Sequence, residues 1–393
     1  MKFILYLSFV LFLVPDRYIY NTFLRKLPLI WRILFILPTA LGLISVILLL
    51  LNVFSNVITT VFVVSLFCFT LPKLVFLLFS LFARLFGKRN RKAYTIFCRL
   101  GFVVACAVSL MALYGVTFAW KQLDTEYVDL YFDDLPESFD GYTIAHLSDL
   151  HLGSYGNRTA FVEKVVRRVN EEHPDLIVFT GDIVNTEPEE LSPFVPVLSN
   201  LSASDGIISV FGNHDYCAKG NQETWTTPQD GGRIVAEMER SMGWKVLLNE
   251  SVVLNKGDDR IAVAGLEYWG KDIFLQNCNI KAALEGITDY DTIKCDDDKF
   301  TILLSHTPSQ WALEILPNTH IPLTLSGHIH ASQIKIGKWS PASLFYKEWG
   351  GLYQSGNQQL YVSEGVGGML PFRLGCRPQV TLLTLHCKKS VFS

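Results

Sequence analysis

The stretch that decides the fold is residues 142–151, which read YTIAHLSDLH. Its first part, Tyr142 to Ser148, is a short apolar run of the kind that forms a buried strand. Asp149 and His151 follow at the point where this strand ends. Residues two apart in an extended chain project to the same side. Such a pair can present a carboxylate and an imidazole to one ion, and it equally fits a surface aspartate followed by a capping histidine.

The pattern of an apolar strand followed directly by polar residues recurs four more times along the chain. The further predicted strands are Asp175 to Thr180, Ile207 to Phe211, Phe300 to Ser305 and Leu323 to Ser326. Amphipathic helical segments alternate with the strands, at Phe161 to Glu172, Gly232 to Met242 and Ser309 to Leu316. This alternation predicts an α/β domain with ligands in the loops at the carboxyl ends of its strands.

The four further strand ends also carry side chains suited to metal binding or proton transfer. They are Gly181-Asp182, Gly212-Asn213-His214-Asp215, His306 and Gly327-His328-Ile329-His330. Each group alone fits a structural role, such as a turn aspartate or a capping histidine. Their coincidence at successive strand ends indicates one shared site instead.

In their order along the chain, these groups resemble the signature of the calcineurin-like metallophosphoesterase superfamily. That signature is Asp-x-His, Gly-Asp, Gly-Asn-His-Asp/Glu, His and Gly-His-x-His, and the resemblance covers Tyr142 to Leu385. The closing stretch from Tyr361 to Pro378 adds a resemblance to bacterial proteins with N-terminal membrane spans, related to UDP-2,3-diacylglucosamine pyrophosphatases. The resemblance implies a four-layer α/β/β/α sandwich, in which two mixed sheets are flanked by helices.

The resemblance also implies a dinuclear metal centre. The first ion would be held by Asp149, His151 and His330, the second by Asn213, His306 and His328, and Asp182 would bridge both. Imidazole, carboxylate and amide donors together suit Mn, Fe or Zn better than Ca or Mg. The implied reaction is in-line attack of an activated water on phosphorus, with the two divalent ions as cofactors.

Four further residues have an expected role in catalysis or substrate binding. His214 would donate a proton to the leaving oxygen, with Asp215 orienting its ring; the alternative is that His214 only donates a structural hydrogen bond. Arg158 and Arg373 are candidates to clamp a substrate phosphate, and each fits a structural role as well.

The composition divides the chain near Trp120. The first 120 residues contain 12 of the 34 basic residues and one of the 37 acidic residues, Asp16. Residues 121–393, expected to form the metallophosphoesterase domain, therefore keep 22 bases against 36 acids. Such an acidic domain repels phosphate backbones, which argues against nucleic acid as a partner. The mean hydropathy of +0.28 instead indicates a membrane region.

Four apolar runs predict an N-terminal bundle of about four transmembrane helices, and hence the lipid bilayer as a partner. They cover approximately residues 3–20, 33–51, 57–82 and 100–119. The first run ends in Pro15-Asp16-Arg17 and is either a span or a half-embedded anchor. Lys73, in the third, is either a functional intramembrane residue or an interfacial one where the span ends.

Basic residues predict the orientation in the membrane. They cluster between runs one and two (Arg17, Arg25, Lys26, Arg32) and between runs three and four (Arg84, Lys88, Arg89, Arg91, Lys92, Arg99). Lys and Arg flanking a span stay cytoplasmic, so the fourth run should exit outward. We expect a protein of the cytoplasmic (inner) membrane with an extracytoplasmic catalytic domain. Its substrate would then be a lipid-linked phosphate, pyrophosphate or phosphodiester of the envelope.

This orientation and the family resemblance point to different substrates. Hydrolysis of a cytosolic UDP-2,3-diacylglucosamine, which the resemblance suggests, needs a site on the cytoplasmic side. We follow the orientation for the location and leave the identity of the lipid open.

The residue pattern also permits a function without catalysis. A membrane sensor or scaffold could use the metal site for structure or ligand binding. The full ligand set together with His214 and Asp215 favours an enzyme over such a protein.

The eight cysteines form no disulfide framework. Cys376 with Cys387, or Cys278 with Cys295, can pair in an oxidising compartment or remain thiols.

Overall fold

The computed structural model describes residues 2–51, 53, 55–87, 90–218, 227–270, 277–287 and 300–388. Contacts between Cα atoms divide the chain into two units. The helical unit comprises Met1–Trp120 with Leu370–Leu374, and the sheet unit comprises Lys121–Met369 with Gly375–Ser393. Lys88, Arg89 and Cys295, which entered the orientation and disulfide arguments, lie outside the described residues.

The helical unit is built from five α-helices and two π-helical segments among its described residues. The α-helices are α1 (Lys2–Ile19), α2 (Leu29–Leu50), α3 (Asn56–Val63), α4 (Leu71–Gly87) and α5 (Arg91–Thr117). One π-helical segment, Tyr20–Leu24, continues α1, and the other, Val64–Thr70, joins α3 to α4. The predicted third run is therefore one continuous helical path.

Three helices are long and apolar enough to cross a membrane, rather than the four predicted. Within the described residues they are Leu29–Leu50, Asn56–Leu85 and Arg91–Lys121. The first apolar run folds as α1, but its 18 residues include Lys2, Asp16 and Arg17. The apolar stretch between these charges is shorter than the roughly 20 residues that a span requires.

Lys73 lies within the second of these helices, Asn56–Leu85, which continues past it without a break. Its Nζ donates to Asp16 Oδ1 at 2.7 Å, to Thr39 Oγ1 at 2.9 Å and to the carbonyl oxygen of Phe35 at 3.0 Å. Lys73 and Asp16 are both buried. The only acidic residue of the first 120 thus pairs with the lysine, and the pairing lowers the cost of two charges in an apolar setting.

The sheet unit contains two six-stranded sheets. Their strands are β1 Asp124–Phe132, β2 Tyr142–Leu147, β3 Leu176–Phe179, β4 Ile207–Ser209, β5 Lys245–Val246, β6 Glu250–Lys256, β7 Asp259–Gly265, β8 Phe300–Leu304, β9 Leu323–Ser326, β10 Gly351–Ser355, β11 Gln358–Val362 and β12 Gln379–Cys387. The first sheet has the order β1-β12-β2-β3-β4-β5 and the second β10-β11-β9-β8-β7-β6.

Both sheets are mixed, as predicted. The run β2-β3-β4-β5 is parallel, while β12 pairs antiparallel with β2 and parallel with β1. In the second sheet, β11-β9-β8-β7 is parallel and the hairpins β6-β7 and β10-β11 are antiparallel. The parallel strands of each sheet bring their carboxyl ends to one edge, where ligand loops are expected.

The two sheets pack face to face across one hydrophobic core. Ile144 and Val178 of the first sheet share this core with Val263 and Ile302 of the second. The opposite face of the second sheet packs against a separate cluster that includes Trp311. The helices of the sheet unit are α6 (Ala160–Glu171), α7 (Val195–Leu198), α8 (Pro228–Ser241), α9 (Ile280–Leu284) and α10 (Leu316–Asn318). This arrangement confirms the predicted α/β sandwich.

Two details can be compared with the sequence predictions. The segment Ser309 to Leu316 is helical as predicted, and its middle part, Trp311–Ile315, is π-helical. Of the two alternatives left open for Cys387, the structure shows the thiol, which donates to the carbonyl oxygen of Leu135 at 3.2 Å.

Candidate metal centre

The loops after four parallel strands bring sequence-predicted ligands together in two groups. The first group is Asp149, His151 and His330, and the second is Asp182, His306 and His328. Within each group the possible ligand atoms all lie within 4.8 Å of one another. Asp149 follows β2, Asp182 follows β3, His306 follows β8, and His328 and His330 follow β9. The centre is therefore assembled from the edges of both sheets.

Asp182 lies between the histidines of the two groups. Its Oδ2 is 3.1 Å from His306 Nε2 and 3.7 Å from His151 Nε2. Metal–ligand distances of about 2.0 to 2.2 Å place two ligands of one ion roughly 3 to 3.5 Å apart. The carboxylate thus stands where it can contribute to both groups.

Asp149 and His151 reach the same group through a backbone conformation that differs from the extended one expected. Asp149, His151, Asp182, His328 and His330 all have positive φ, between 37° and 73°. They are left-handed turn residues rather than extended ones, because the strands end before them. Non-glycine residues in this region are uncommon and concentrate at functional sites.

Hydrogen bonds that involve backbone atoms hold these turns together. His151 N donates to Asp182 O at 3.1 Å, and His328 N donates to both carboxylate oxygens of Asp149 at 3.0 and 3.1 Å. His306 Nδ1 donates to Thr180 O at 2.6 Å, which leaves Nε2 facing the centre. Fixing the outer nitrogen of a ligand histidine in this way selects the tautomer that binds metal.

The glycines in the motifs permit close approach between loops. A Cβ at Gly212 would overlap the Asp182 carboxylate, and a Cβ at Gly327 would overlap the side chains of Ser148 and Asp149. Both positions therefore need glycine because the carboxylates pass directly over the backbone.

Burial perturbs the ionisable groups of the centre. Burial raises the pKa of Asp149 to about 6 and lowers the pKa of His151 to about 3. Burial also acts to raise the pKa of Asp182, but His306 and His214 outweigh it and hold this pKa well below its ordinary value. Buried carboxylates of this kind need nearby positive charge.

The donor atoms fit divalent metal ions. Asn213 Oδ1 is buried and has no hydrogen-bond partner among the described residues. His151 Nε2 is 4.0 Å from Asp149 Oδ1, too far for a hydrogen bond but close enough for both to contact one ion. The clustered imidazoles and carboxylates, together with a buried amide oxygen that lacks a partner, form a donor set suited to transition metals.

The ring of His214 is oriented by a residue that the motifs do not include. His214 Nδ1 lies 2.5 Å from the carbonyl oxygen of Asn185, and the backbone N–H of His214 donates to Asp182 Oδ1 at 2.8 Å. Asp215, expected to orient the ring, instead accepts the backbone N–H groups of Gly212, Asp182 and Ile183, each at 2.7 Å. Its carboxylate ties the β3 and β4 loops together because three donors converge on it.

The two arginine candidates lie in different surroundings. Arg158 is exposed, and its Nε donates to Tyr155 O at 3.3 Å. Arg373 is buried and belongs to Leu370–Leu374, the segment that clusters with the helical unit. A phosphate-binding role for either arginine stays a prediction.

Sequence reasoning missed several residues around the centre. Glu190 accepts the backbone N–H of Asn185 at 2.5 Å and so holds the carbonyl that faces His214. The ring of Tyr268 lies 6.3 Å from those of both His306 and His328. In the sequence, Glu190 stands out only as an acidic residue eight positions after Asp182. This spacing is too unspecific to predict a role at the centre.

Comparison with known proteins agrees with this geometry. Residues 142–332 match the family model described as calcineurin-like phosphoesterase. The uncharacterized metallophosphoesterase YkuE of Bacillus subtilis is 31% identical over 64% of this chain and 81% of its own length.

The names of two animal relatives describe them as transmembrane proteins. The transmembrane protein with metallophosphoesterase domain of Danio rerio is 28% identical, over 70% of this chain and 60% of its own length. The Bos taurus protein of the same name is 33% identical over 64% of this chain and 54% of its own length. The chain thus spans a little over half the length of these two relatives. The resemblance seen in the motifs is confirmed, and the chain belongs to the calcineurin-like metallophosphoesterases, which are phosphoester hydrolases.

Proposed function

We propose that this protein is a dinuclear metal phosphohydrolase that acts on a lipid-linked phosphate, pyrophosphate or phosphodiester at a membrane. The observation that carries the proposal is the position of Asp182 Oδ2, between His151 and His306 of the two ligand groups. A carboxylate has two oxygens and is the side chain best suited to bridge two ions.

The ligand assignment combines the two groups with Asn213, which the family resemblance supplies and whose unpartnered buried Oδ1 supports it. Asp149, His151 and His330 would hold one ion and Asn213, His306 and His328 the other, with Asp182 shared. Bound there, divalent ions would supply Lewis acidity that lowers the pKa of a water and offsets charge on the phosphate. The donor set favours Mn, Fe or Zn.

His214 acts as the proton donor to the leaving oxygen. A carbonyl oxygen only accepts, so the contact with Asn185 keeps a proton on Nδ1. The imidazolium gives up the proton on Nε2, and the neutral tautomer that results keeps its hydrogen bond to Asn185. The ring therefore needs no reorientation during the transfer.

The candidate membrane spans support the proposal of a lipid-linked substrate. Three helices qualify as spans, and the last of them, Arg91–Lys121, ends only 28 residues before Asp149. The basic loops support an extracytoplasmic sheet unit in the cytoplasmic membrane. A metal centre tethered there meets envelope lipids more often than soluble cytosolic nucleotides.

Metal analysis of the full chain in detergent tests the proposal. We expect two transition-metal ions per chain, and hydrolysis when monoester, diester, nucleotide-sugar and lipid pyrophosphate substrates are assayed in parallel. Full metal content without hydrolysis of any of these substrate classes would favour the sensor or scaffold instead.

A further inference from the structure

The chain between the last metal-ligand loop and β10 exposes apolar side chains in two successive turns. Their exposed fractions are 67% for Ile336, 46% for Trp339, 70% for Leu344 and 82% for Phe345. We call these four residues, together with the exposed Lys338 and Lys347, the 336–347 surface. Four exposed large apolar side chains within ten residues of chain are unusual on a soluble protein, and exposed apolar surface of this kind indicates an interaction site.

Hydrogen bonds fix both turns, so the exposure belongs to the fold itself. Ile336 and Trp339 exchange backbone hydrogen bonds at 2.8 and 3.1 Å. The second turn is anchored by the buried Ser340, whose Oγ accepts from Ala342 N at 3.1 Å. Phe345 N donates to Ala342 O at 3.0 Å. The apolar side chains are thus presented outward on a rigid base.

The chemistry of the 336–347 surface matches the head-group layer of a bilayer. Aromatic and aliphatic side chains interleaved with lysine are the composition of segments that insert at membrane interfaces. Lys338 and Lys347 add positive charge on a unit that is otherwise acidic, and they complement anionic lipids. Lys335, by contrast, forms an ion pair with Glu364 and does not contribute to this surface.

The 336–347 surface adjoins the metal centre. Ser340 Oγ donates to Ala331 O at 2.6 Å, and Ala331 follows the ligand His330 directly. The ring of Tyr346 lies 6.3 Å from the ring of His328. Docking of this surface on a bilayer would therefore bring a lipid-borne phosphate close to the ligands.

We propose that the 336–347 surface inserts into the head-group layer of an anionic bilayer and makes the enzyme act at the membrane interface. The inference rests on the proposed function and adds the surface through which the enzyme would reach phosphoesters carried by lipid. The bilayer is the occupant because three helices that can span it belong to the same chain. Its affinity for the 336–347 surface combines apolar burial with attraction between lysine and anionic head groups.

Two measurements on the full chain test this inference. The first compares amide hydrogen exchange of residues 336–347 in phosphatidylglycerol nanodiscs and in amphipol, where no bilayer is present. The second compares KM for a water-soluble phosphomonoester and for a bilayer-embedded long-chain analogue with the same leaving group. The variant is Leu344→Ser with Phe345→Ser, and the matched control is Leu313→Ser, which removes another leucine that is 65% exposed.

We expect slower exchange in nanodiscs, and a KM for the embedded substrate that rises on the order of tenfold in the double variant alone. Turnover of the soluble substrate should not change. Equal exchange in both settings, or an unchanged KM for the embedded substrate, would overturn the inference. Protection in amphipol that grows with protein concentration would also overturn it, in favour of a second copy. Bilayer protection without hydrolysis of either substrate would support docking while contradicting the hydrolase.

Discussion

The carbonyl oxygen of Asn185 accepts a hydrogen bond from Nδ1 of His214, and the two atoms are 2.5 Å apart. This contact leaves Nε2 as the nitrogen that can exchange protons with a substrate. His214 and Asp215 therefore have different contacts, because Asp215 accepts hydrogen bonds from the backbone N–H groups of the loops and not from the His214 ring. Asp215 thus holds the loops, and proton donation by His214 stays a proposal.

The first prediction concerns proton donation by His214. His214→Ala should retain both metal ions but lower kcat by about 100-fold or more, the scale of general acid catalysis. The loss should shrink for substrates with good leaving groups, because these depart without a proton. Metal content and kcat over a series of leaving groups check this. A loss of the same size across the series would assign the histidine to positioning.

The second prediction concerns Glu239, which is fully buried and accepts a hydrogen bond from Ser209 Oγ at 2.5 Å. Burial raises its pKa from 4.5 to about 8. The folded chain therefore keeps a proton between pH 4.5 and 8 that the unfolded chain releases. The free energy of unfolding should fall as pH rises through this window, by at most about 1.4 kcal/mol per pH unit.

Glu239→Gln should remove this contribution. The free energy of unfolding of the variant, relative to that of the unsubstituted chain, should therefore increase from pH 6 to pH 9. Denaturant unfolding at both pH values measures it. Parallel pH profiles for the two chains would show that Glu239 does not carry the shift.

The third prediction concerns the buried pair in the helical unit. Asp16→Ala leaves the ammonium of Lys73 buried with only Thr39 and the carbonyl of Phe35 as acceptors. This change should destabilise the protein by about 3 kcal/mol, because an uncompensated charge remains. Adding Lys73→Met should recover part of the loss, seen as a higher melting temperature in detergent. Additive losses in the double variant would mean that the two side chains are not coupled.

The fourth prediction concerns the side of the membrane. A cysteine at the exposed turn between β6 and β7, Asp258→Cys, should react with a membrane-impermeant reagent in intact cells whose outer membrane, if present, is permeabilised. The unsubstituted chain gives the background from native cysteines. Labelling that appears only after the cytoplasmic membrane is broken would place the sheet unit in the cytosol and restore a cytosolic UDP-lipid as the favoured substrate.

The strand-end residues were predictable because they follow short apolar runs, which are typical of buried strands. The runs before Asp149 and His328 both ended within one residue of the expected positions. The left-handed conformations of these two residues were not predictable, since neither is glycine. Both conformations are held by hydrogen bonds between loops that are far apart in sequence, from Asp149 N to Gly181 O and from His328 N to the Asp149 carboxylate.

Other features depend on contacts between distant parts of the chain. The carbonyl of Asn185 is a backbone atom, so no residue type marks it in the sequence. Lys73 finds Asp16 57 residues away, and β1 pairs with β12 across most of the sheet unit. Such long-range pairings have no local periodicity, which is the signal that sequence reasoning uses.

The shared role of Asp182 is the central claim, and metal content measures it most directly. Asp182→Asn and the surface control Asp258→Asn would be purified as full chains and compared by metal analysis and turnover. The account predicts that the control keeps two ions per chain, whereas Asp182→Asn falls toward one or none and loses activity. Two ions and near-normal turnover in Asp182→Asn would contradict the dinuclear site.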